Sequence, residues 1–408
     1  MAERCYFLTG ASGFLGHEIL REIARQDPTA RTYATLRAPV GELEMRAARL
    51  GWRDAAPRAL PIGADLSRLR AGLSPRDLER LTTEVTHVVH AGASVRCDHD
   101  IDHARQVNVV GTRQLLELAP RMRRLERFVH VSTTFVCGDR PGALVEGPAP
   151  PGRFRNSYER STFEAEEVVR RAMGRLPITI VRPSIVAPAI VDTPATSAIS
   201  PALHDGVASL QARDRDQPRA RLLMLLRLYL THGWRWVPGS PSSLVDLIPG
   251  DVVARATVAL ARRTHSDGRW YHLAAGPRAA TLRELGALAS RRFHAPPLSF
   301  APPGLLGLAL RFLVWGDARP LLDRAAPYVP YLSVRTRVDT TDSHRVLREL
   351  GIEVPRVSEL FVALLAQLDL GMQAPDASRL PAPPRPPARF SASRARAAAA
   401  PRAAARRS

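Results

Sequence analysis

Gly10, Gly13 and Gly16 stand in G-x-x-G-x-x-G spacing, between the apolar run Cys5-Tyr6-Phe7-Leu8 and a helical pattern from His17 to Arg25. Strand, glycine turn and helix in that order set a pyrophosphate on a helix N-terminus. Gly10 allows the tight turn, Gly13 lets backbone approach the phosphates, and Gly16 lets helix pack close to strand. Arg37 follows Gly16 by 21 residues and closes a second apolar run, Thr32-Tyr33-Ala34-Thr35-Leu36. A residue about 20 positions past the glycines meets the adenosine ribose; an acid there accepts the 2′-hydroxyl of NAD, an arginine accommodates the 2′-phosphate of NADP. Arg37 therefore favours NADP(H), with NAD(H) as the alternative.

These residues need a scaffold, and the apolar runs supply one. A third strand is expected over Ala59–Leu66, bringing Asp65 to hydrogen-bond the adenine amino group. A helix follows from Ser74 as N-cap and Pro75 at its first position to Thr82. Val85–His90 reads as a buried strand running into Ala91-Gly92-Ala93, small residues on which a nicotinamide ribose can rest. Asn108 to Thr112 is expected to open the next helix. Phe128–Thr134 gives a fifth strand ending in hydroxyls, and Ile178–Val181 a sixth, closed by Arg182-Pro183. Strands and helices alternating in this way predict an α/β fold with a doubly wound parallel Rossmann-type sheet, whose ligands lie at the carboxyl ends of the strands. Asp98-His99-Asp100-Ile101-Asp102-His103 invites a metal reading, but nothing else completes a ligand set, so no metal is expected.

Composition narrows the chemistry further. All 58 basic residues of the 408 are arginine. A chain without lysine cannot run Schiff-base or pyridoxal phosphate chemistry and carries no Walker lysine. Cys5, Cys97 and Cys137 lack metal-type spacing and suggest a reducing compartment; with no signal peptide visible, the cytoplasm is expected. The apolar runs at 222–230 and 304–315 are each broken by an arginine and fall short of the ~20 residues of a membrane span. Residues 376–408 hold eight arginines against one acid and supply +7 of the net +19. Nearly all Ala, Pro and Arg, this tail cannot bury enough surface to fold and is expected to be disordered, with no specific nucleic acid as its partner. The domains expected are 1–275 for the dinucleotide (with an insertion at 190–243), a smaller and mostly helical 276–375 for the substrate, and the 376–408 tail.

In this order the segments resemble the extended short-chain dehydrogenase/reductase family, nearest its thioester-reductase and fatty acyl-CoA reductase branch. T-G-A-S-G-F-L-G at 9–16, G-A-D-L-S at 63–67, G-L-S-P-R-D-L at 72–78 and V-V-H-A-G-A at 88–93 carry the likeness. N-V-V-G-T at 108–112, V-S-T-T-F-V-C-G at 131–138, N-S-Y-E-R-S at 156–161 and R-P-S-I-V at 182–186 continue it. V-D-L-I-P-G-D-V-V at 245–253 and W-Y-H-L-A at 270–274 complete it. The resemblance implies cofactor contacts at Ser12, Phe14, Leu15, Leu66, Asn108, Pro183, Ser184 and Ile185, besides the glycines, Arg37, Asp65 and Ala91–Ala93. It also implies an active site of three parts: a hydroxyl, a tyrosine, and a lysine four residues after the tyrosine. Thr133 falls on the hydroxyl that would hydrogen-bond a substrate carbonyl, with Thr134 beside it, and Tyr158 on the proton-donating tyrosine, which also lies against the cofactor. Position 162, one helical turn after Tyr158, is threonine.

That departure leaves several readings open. Thr162 hydrogen-bonds the ribose, or an arginine elsewhere supplies the charge, or the chain binds NADP(H) without turnover. Arg160 cannot take the place of the lysine, because two residues along a helix are about 200° round its axis. The leucine-rich segments at 222–230 and 297–315 suit a hydrophobic or acyl-thioester substrate, free or carrier-bound; they equally suit helices packed on the sheet, and 304–315 suits contact with a membrane surface. The first expectation is an NADP(H)-dependent oxidoreductase acting on a thioester, aldehyde or ketone. An epimerase, dehydratase or sterol dehydrogenase of the same superfamily, and a non-catalytic nucleotide sensor, are the alternatives.

Overall fold

In the computed structural model, the described residues are 3–97, 99–187, 236–264, 268–294, 296–301 and 326–372. Seven parallel strands form the main sheet: β1 Cys5–Thr9, β2 Arg31–Leu36, β3 Ala59–Gly63, β4 His87–His90, β5 Arg127–Val131, β6 Ile178–Pro183 and β7 Arg269–Leu273. Their spatial order is β7-β6-β5-β4-β1-β2-β3. The order reverses between β1 and β4, paired in parallel with Thr9 opposite His90, and such a switch point opens a crevice at the carboxyl ends of the strands. Every residue of β1 and β6 is buried, as expected of strands covered on both faces.

Two apolar layers cover the sheet. On one face, helix α1 Phe14–Gln26 packs beside a later helix, Gly250–Arg262, through Ile19, Leu20, Ile23, Val253, Ala256 and Leu260. On the other, Leu81, Leu115, Leu118, Val169 and Ala172 pack on Phe7, Val88, Phe128 and Ile180. Val169 and Ala172 lie on helix α2, Ser157–Ala172, which also carries Tyr158 and Thr162. Small two-stranded pairings add to this frame: 142–144 with 336–338, 185–187 with 247–249, and 236–238 with 299–301. Described residues up to Ala366 form one compact unit, and those from Gln367 onward belong to a second. Among the described residues no helix is long and apolar enough to cross a membrane.

The first helix begins at Phe14 rather than His17 and the fourth strand at His87 rather than Val85, and three further boundaries move for reasons the side chains show. The third strand ends at Gly63 rather than Leu66, because the Asp65 carboxylate accepts from Ser67 Oγ (2.6 Å) and Ser67 N (3.0 Å) and folds the chain into a local turn. The fifth strand ends at Val131, where the Thr133 hydroxyl caps a 3₁₀ turn, Thr134–Cys137. The helix expected to open at Asn108 starts at Ile101 instead, with the Asp100 carboxylate accepting from the N–H groups of Asp102 and His103. That capping role takes Asp100 out of the 98–103 cluster, whose His99 and His103 rings meet edge to face at 4.6 Å. Asp98, residues 190–235 of the insertion with the leucine-rich stretch 222–230, residues 302–315 of the second leucine-rich stretch, and the 376–408 tail lie outside the described residues.

Burial sets a pH limit on this fold. His87, His130 and His272 are each pushed down from 6.5 to about 4, mainly by desolvation, and fully buried His90 lies well below its ordinary value. The unfolded chain therefore binds more protons than the folded one between pH 6.5 and 4, so stability is complete above 6.5 and is lost as pH falls through that window. At pH 5 each of the three costs about 2 kcal/mol, which together is on the order of a domain's whole stability. Urea unfolding at pH 7 and pH 5 should show the midpoint falling steeply; an unchanged midpoint would contradict this.

Candidate active site

The glycine turn is fixed by contacts that exclude a side chain. Gly10 has φ +76°, and a Cβ there would lie 2.7 Å from Ala91 C and from Gly92 N. A Cβ at Gly16 would lie 2.0 Å from Gly10 O, so α1 cannot sit this close to β1 with any larger residue. At Gly13 a Cβ would meet only Gly10 O, at 3.3 Å. Helix α1 has no side-chain cap and no acid in its first turn, which leaves its N-terminal N–H groups and positive dipole end facing the crevice. Ser12 is exposed on the turn, Leu15 is half-buried, and Phe14 packs on Gly250. The turn is tied to β2 by Gly10 N donating to Thr35 Oγ1 at 3.2 Å. Arg37 lies exposed just past β2, and the Asp65 carboxyl is held below its ordinary value by Ser67, with smaller contributions from Arg37 and Arg68. Leu66 sits against Gly92 and Gly111 at the same end.

A buried polar chain aligns the strand ends. Thr112 Oγ1 donates to Asn108 O, so it accepts from His90 Nε2 (2.9 Å), and the bare Nδ1 of a neutral His90 accepts from Thr9 Oγ1 (2.7 Å). Thr9 Oγ1 in turn accepts from Gly92 N at 3.1 Å. Asn108 Oδ1 accepts from Ser94 N (2.7 Å), while its Nδ2 donates to Ser94 O (3.0 Å) and Ser161 Oγ (2.9 Å). One amide thus clamps the Ala91–Ser94 segment and joins it to α2.

Tyr158 stands in the first turn of α2, whose N-cap Asn156 accepts from Glu159 N at 2.9 Å. Its phenol is pushed up to about 12, chiefly by burial, with Cys97 and Glu159 adding to the rise and the hydroxyls of Thr133 and Thr162 opposing it. Thr133 Oγ1, donating to Pro183 O at 3.4 Å, brings the β5 and β6 ends together beside that phenol. The buried Thr162 Oγ1 faces the Tyr158 phenol and the buried Ser184 hydroxyl faces Asp246, but neither completes a hydrogen bond of good geometry. Arg160 points away, with Nε on Glu164 at 3.1 Å. Beyond Pro183 and Ser184, Ile185 starts the short pairing with Leu247. Asp246 accepts from Ala275 N and Gly276 N, each at 2.8 Å, and burial raises its carboxyl.

Below the site lies a cluster that residue-by-residue reading missed. Arg182, fully buried, donates through Nε (3.0 Å) and Nη2 to Glu166. The same carboxylate accepts from Ser132 Oγ (2.6 Å) and Trp270 Nε1 (3.2 Å). Arg182 Nη1 donates to His272 Nε2 (3.1 Å), so His272 is the Nδ1–H tautomer and donates to Asp339 O (2.6 Å). Glu166 lies four residues after Thr162 and seven after Glu159 on one helical face, and acids recurring on that buried face were the available signal. Tyr331, also missed, accepts from Asn156 Nδ2 at 2.8 Å and lies under the Arg155 guanidinium.

The profile of the NAD-binding male sterility protein family matches residues 8–257. The chain belongs to this family. Fatty acyl-CoA reductase 1 of Xenopus laevis is 31% identical over 218 residues, covering 44% of this chain and 42% of the relative. Fatty acyl-CoA reductase 2 of Bos taurus is 26% identical over 292 residues, covering 62% and 53%. The chain spans about half the length of the curated relatives it matches. Among solved structures, the terminal R domain from the myxalamid PKS-NRPS biosynthetic pathway aligns with a TM-score of 0.71 at 27% identity, over 91% of this chain and 92% of that one. The resemblance to the extended short-chain dehydrogenase/reductase family and its thioester-reductase and fatty acyl-CoA reductase branch is borne out. Within the male sterility family's matched span lie the glycine turn, the Asn108 clamp, Tyr158 and the Glu166–Arg182 pair.

Replacing Glu166 by Gln strands a fully buried guanidinium, and breaking such a pair from one side costs about 3–5 kcal/mol. Glu166→Gln should lower the urea midpoint by a corresponding amount, well beyond the effect of Glu167→Gln one residue along on the surface.

Proposed function

We propose that this chain is an NADP(H)-dependent reductase of a thioester, aldehyde or ketone carbonyl on a hydrophobic acyl substrate, carried on coenzyme A or on a carrier protein. The observation that carries this reading is the meeting of Tyr158 and Thr133 at the carboxyl ends of β5 and β6, in a chain whose glycine turn leaves a helix N-terminus open. Similar proteins named as fatty acyl-CoA reductases, with the terminal R domain from the myxalamid PKS-NRPS biosynthetic pathway beside them, support the acyl substrate.

A dinucleotide fits the residues present. Gly10, Ser12, Gly13, Phe14, Leu15 and Gly16 would hold its pyrophosphate, Arg37 its adenosine 2′-phosphate, and Asp65 with Leu66 its adenine. Ala91–Ala93, clamped through Asn108, would carry the nicotinamide ribose, with Pro183, Ser184 and Ile185 on the far side of the ring. The buried hydroxyls of Thr162, beside Tyr158, and of Ser184, beside Asp246, complete no hydrogen bond of good geometry and would gain one there. When bound, the nicotinamide supplies the hydride. Thr133 orients the carbonyl oxygen, and Tyr158 gives a proton to the alkoxide that forms. Residues 1–275 would hold the cofactor and 276–375 would close the substrate side.

A non-catalytic nucleotide binder is the second reading, favoured by threonine at 162. Calorimetric titration with NADP⁺ and NAD⁺ side by side should give tighter binding of NADP⁺, and Arg37→Ala should erase the preference. Consumption of NADPH with a medium-chain acyl-CoA or fatty aldehyde should fall about 10²- to 10⁴-fold in Tyr158→Phe. Tight nucleotide binding without NADPH consumption on any carbonyl tried would favour the sensor instead.

A further inference from the structure

Tyr331 lies on the 3₁₀ stretch Ala326–Ser333, in the part of the chain assigned above to the substrate side. Its side chain nevertheless meets the two turns that carry the reacting hydroxyls. The segment is tied down next to it: Leu332 O accepts from Ser240 N (3.2 Å) and Val334 O from Leu244 N (3.4 Å). Just beyond, Thr336–Val338 pairs in parallel with Gly142–Leu144, so Tyr331 reaches the site from an anchored strap.

One contact is with the turn that holds Tyr158. Asn156 caps α2 through Oδ1, which accepts from Glu159 N (2.9 Å), and its Nδ2 donates to Tyr331 Oη (2.8 Å). The phenol thereby fixes which way round the amide sits, since an amide that turns its N–H to Tyr331 must turn its oxygen to the helix. The Tyr331 hydroxyl also faces the carboxylate of Glu159, which is fully buried. Glu159 stands three residues after the cap and reaches back, accepting from Arg155 N (2.9 Å) and Arg155 Nη1 (3.1 Å). Tyr158 is thus flanked along the chain by Asn156 and Glu159, which share Tyr331 as a partner.

The other contact is with the turn that holds Thr133. Phe135 belongs to the 3₁₀ turn Thr134–Cys137 that the Thr133 hydroxyl caps, and its ring meets Tyr331 edge to face with centroids 4.8 Å apart. The Arg155 guanidinium lies 5.6 Å from the centre of the same ring and donates through Nη1 to Gly138 O (2.7 Å), at the end of that turn. One side chain from the substrate side therefore braces both turns, by hydrogen bonds on one and ring packing on the other.

We infer that Tyr331 is a positioning residue, which sets the spacing of Tyr158 and Thr133 and so makes carbonyl reduction depend on the seating of the substrate-side segment. This rests on the reductase reading above. The Tyr331 hydroxyl, engaged by Asn156 and Glu159, acts through the Tyr158 phenol and gives no proton to substrate. Such spacing matters because a misplacement of about 1 Å at a reacting centre costs on the order of a hundredfold in rate. The glycine turn and Ala91–Ala93 lie on other elements, so nucleotide affinity does not depend on Tyr331.

The test uses Tyr331→Phe, which keeps the ring against Phe135 and Arg155 and removes only the hydroxyl, and Tyr331→Ala, which removes both. With NADPH and saturating decanal, the single-turnover rate should fall about tenfold in Tyr331→Phe and about a hundredfold in Tyr331→Ala. Half-saturating decanal and the Kd of NADP⁺ should each stay within about twofold of wild type. A residue that acts through Tyr158 has nothing left to act on once that phenol is gone. Tyr331→Phe added to Tyr158→Phe should therefore change the rate by less than about twofold further. A readout without turnover is amide hydrogen exchange over residues 156–162, which should quicken in Tyr331→Phe as the cap loosens. An unchanged single-turnover rate in Tyr331→Phe, unchanged exchange, a loss confined to decanal affinity, or losses that multiply in the double variant each overturn the proposal. Absence of NADPH consumption by the wild type on every carbonyl sinks the reductase reading and the proposal with it; any of those four results in a chain that reduces decanal sinks the proposal alone.

Discussion

Much of this structure hangs on one buried charge. The Arg182 guanidinium, at the end of β6, has no water to solvate it and is satisfied from two sides by Glu166 and His272. Each partner recruits others: Glu166 on α2 takes Ser132 and Trp270, and His272 on β7 takes the Asp339 carbonyl. Taking an arginine out of water is expensive, and the cost is offset only when every donor finds a geometrically good acceptor. That requirement fixes how α2 seats on β5, β6 and β7. It therefore also fixes where Tyr158, two turns up the same helix, meets Thr133.

A second set of constraints works through neutral groups. Thr9, His90, Thr112 and Asn108 are all buried, and each hydroxyl or ring nitrogen in the chain has its donor or acceptor role determined by the next. Because the sequence of donors can run only one way, the strand ends at Gly92 and Thr9 are held in one arrangement. The close approach of Gly10 to Ala91 depends on this. The glycine turn is thus less a free-standing motif than the end of a hydrogen-bonded line that crosses three elements.

The parallel sheet was readable because its strands are short apolar runs ending in small or hydroxyl residues, such as Val88–Gly92 and Val129–Thr134. The glycine turn was readable because its spacing encodes a steric demand, now visible as the 2.0 Å contact a Gly16 Cβ would make. The strand ends were read too long at Asp65 and Thr133 for one reason: their side chains bind backbone two residues on, which apolar patterning does not register. Glu166 and Tyr331 escaped notice because their meaning lies in partners 16 and 175 residues away. Threonine at 162 was visible in the sequence; that its hydroxyl is buried beside the Tyr158 phenol without a hydrogen bond of good geometry was not.

The stretch Gln106–Val110 is wound as a π-helix between two α-helical pieces, Ile101–Arg105 and Gly111–Leu118. A π turn is an α-helix carrying one residue more than its hydrogen-bond ladder needs, and each residue of α-helix advances about 100° round the axis. The surplus residue sets the angular phase at which Asn108 faces Ser94 and Ser161. Deleting any one residue here would heal the helix into regular α form and swing its N-terminal half by that angle. The ladder would become more regular while the clamp came apart, so at this point in the chain local regularity and the architecture of the crevice pull in opposite directions.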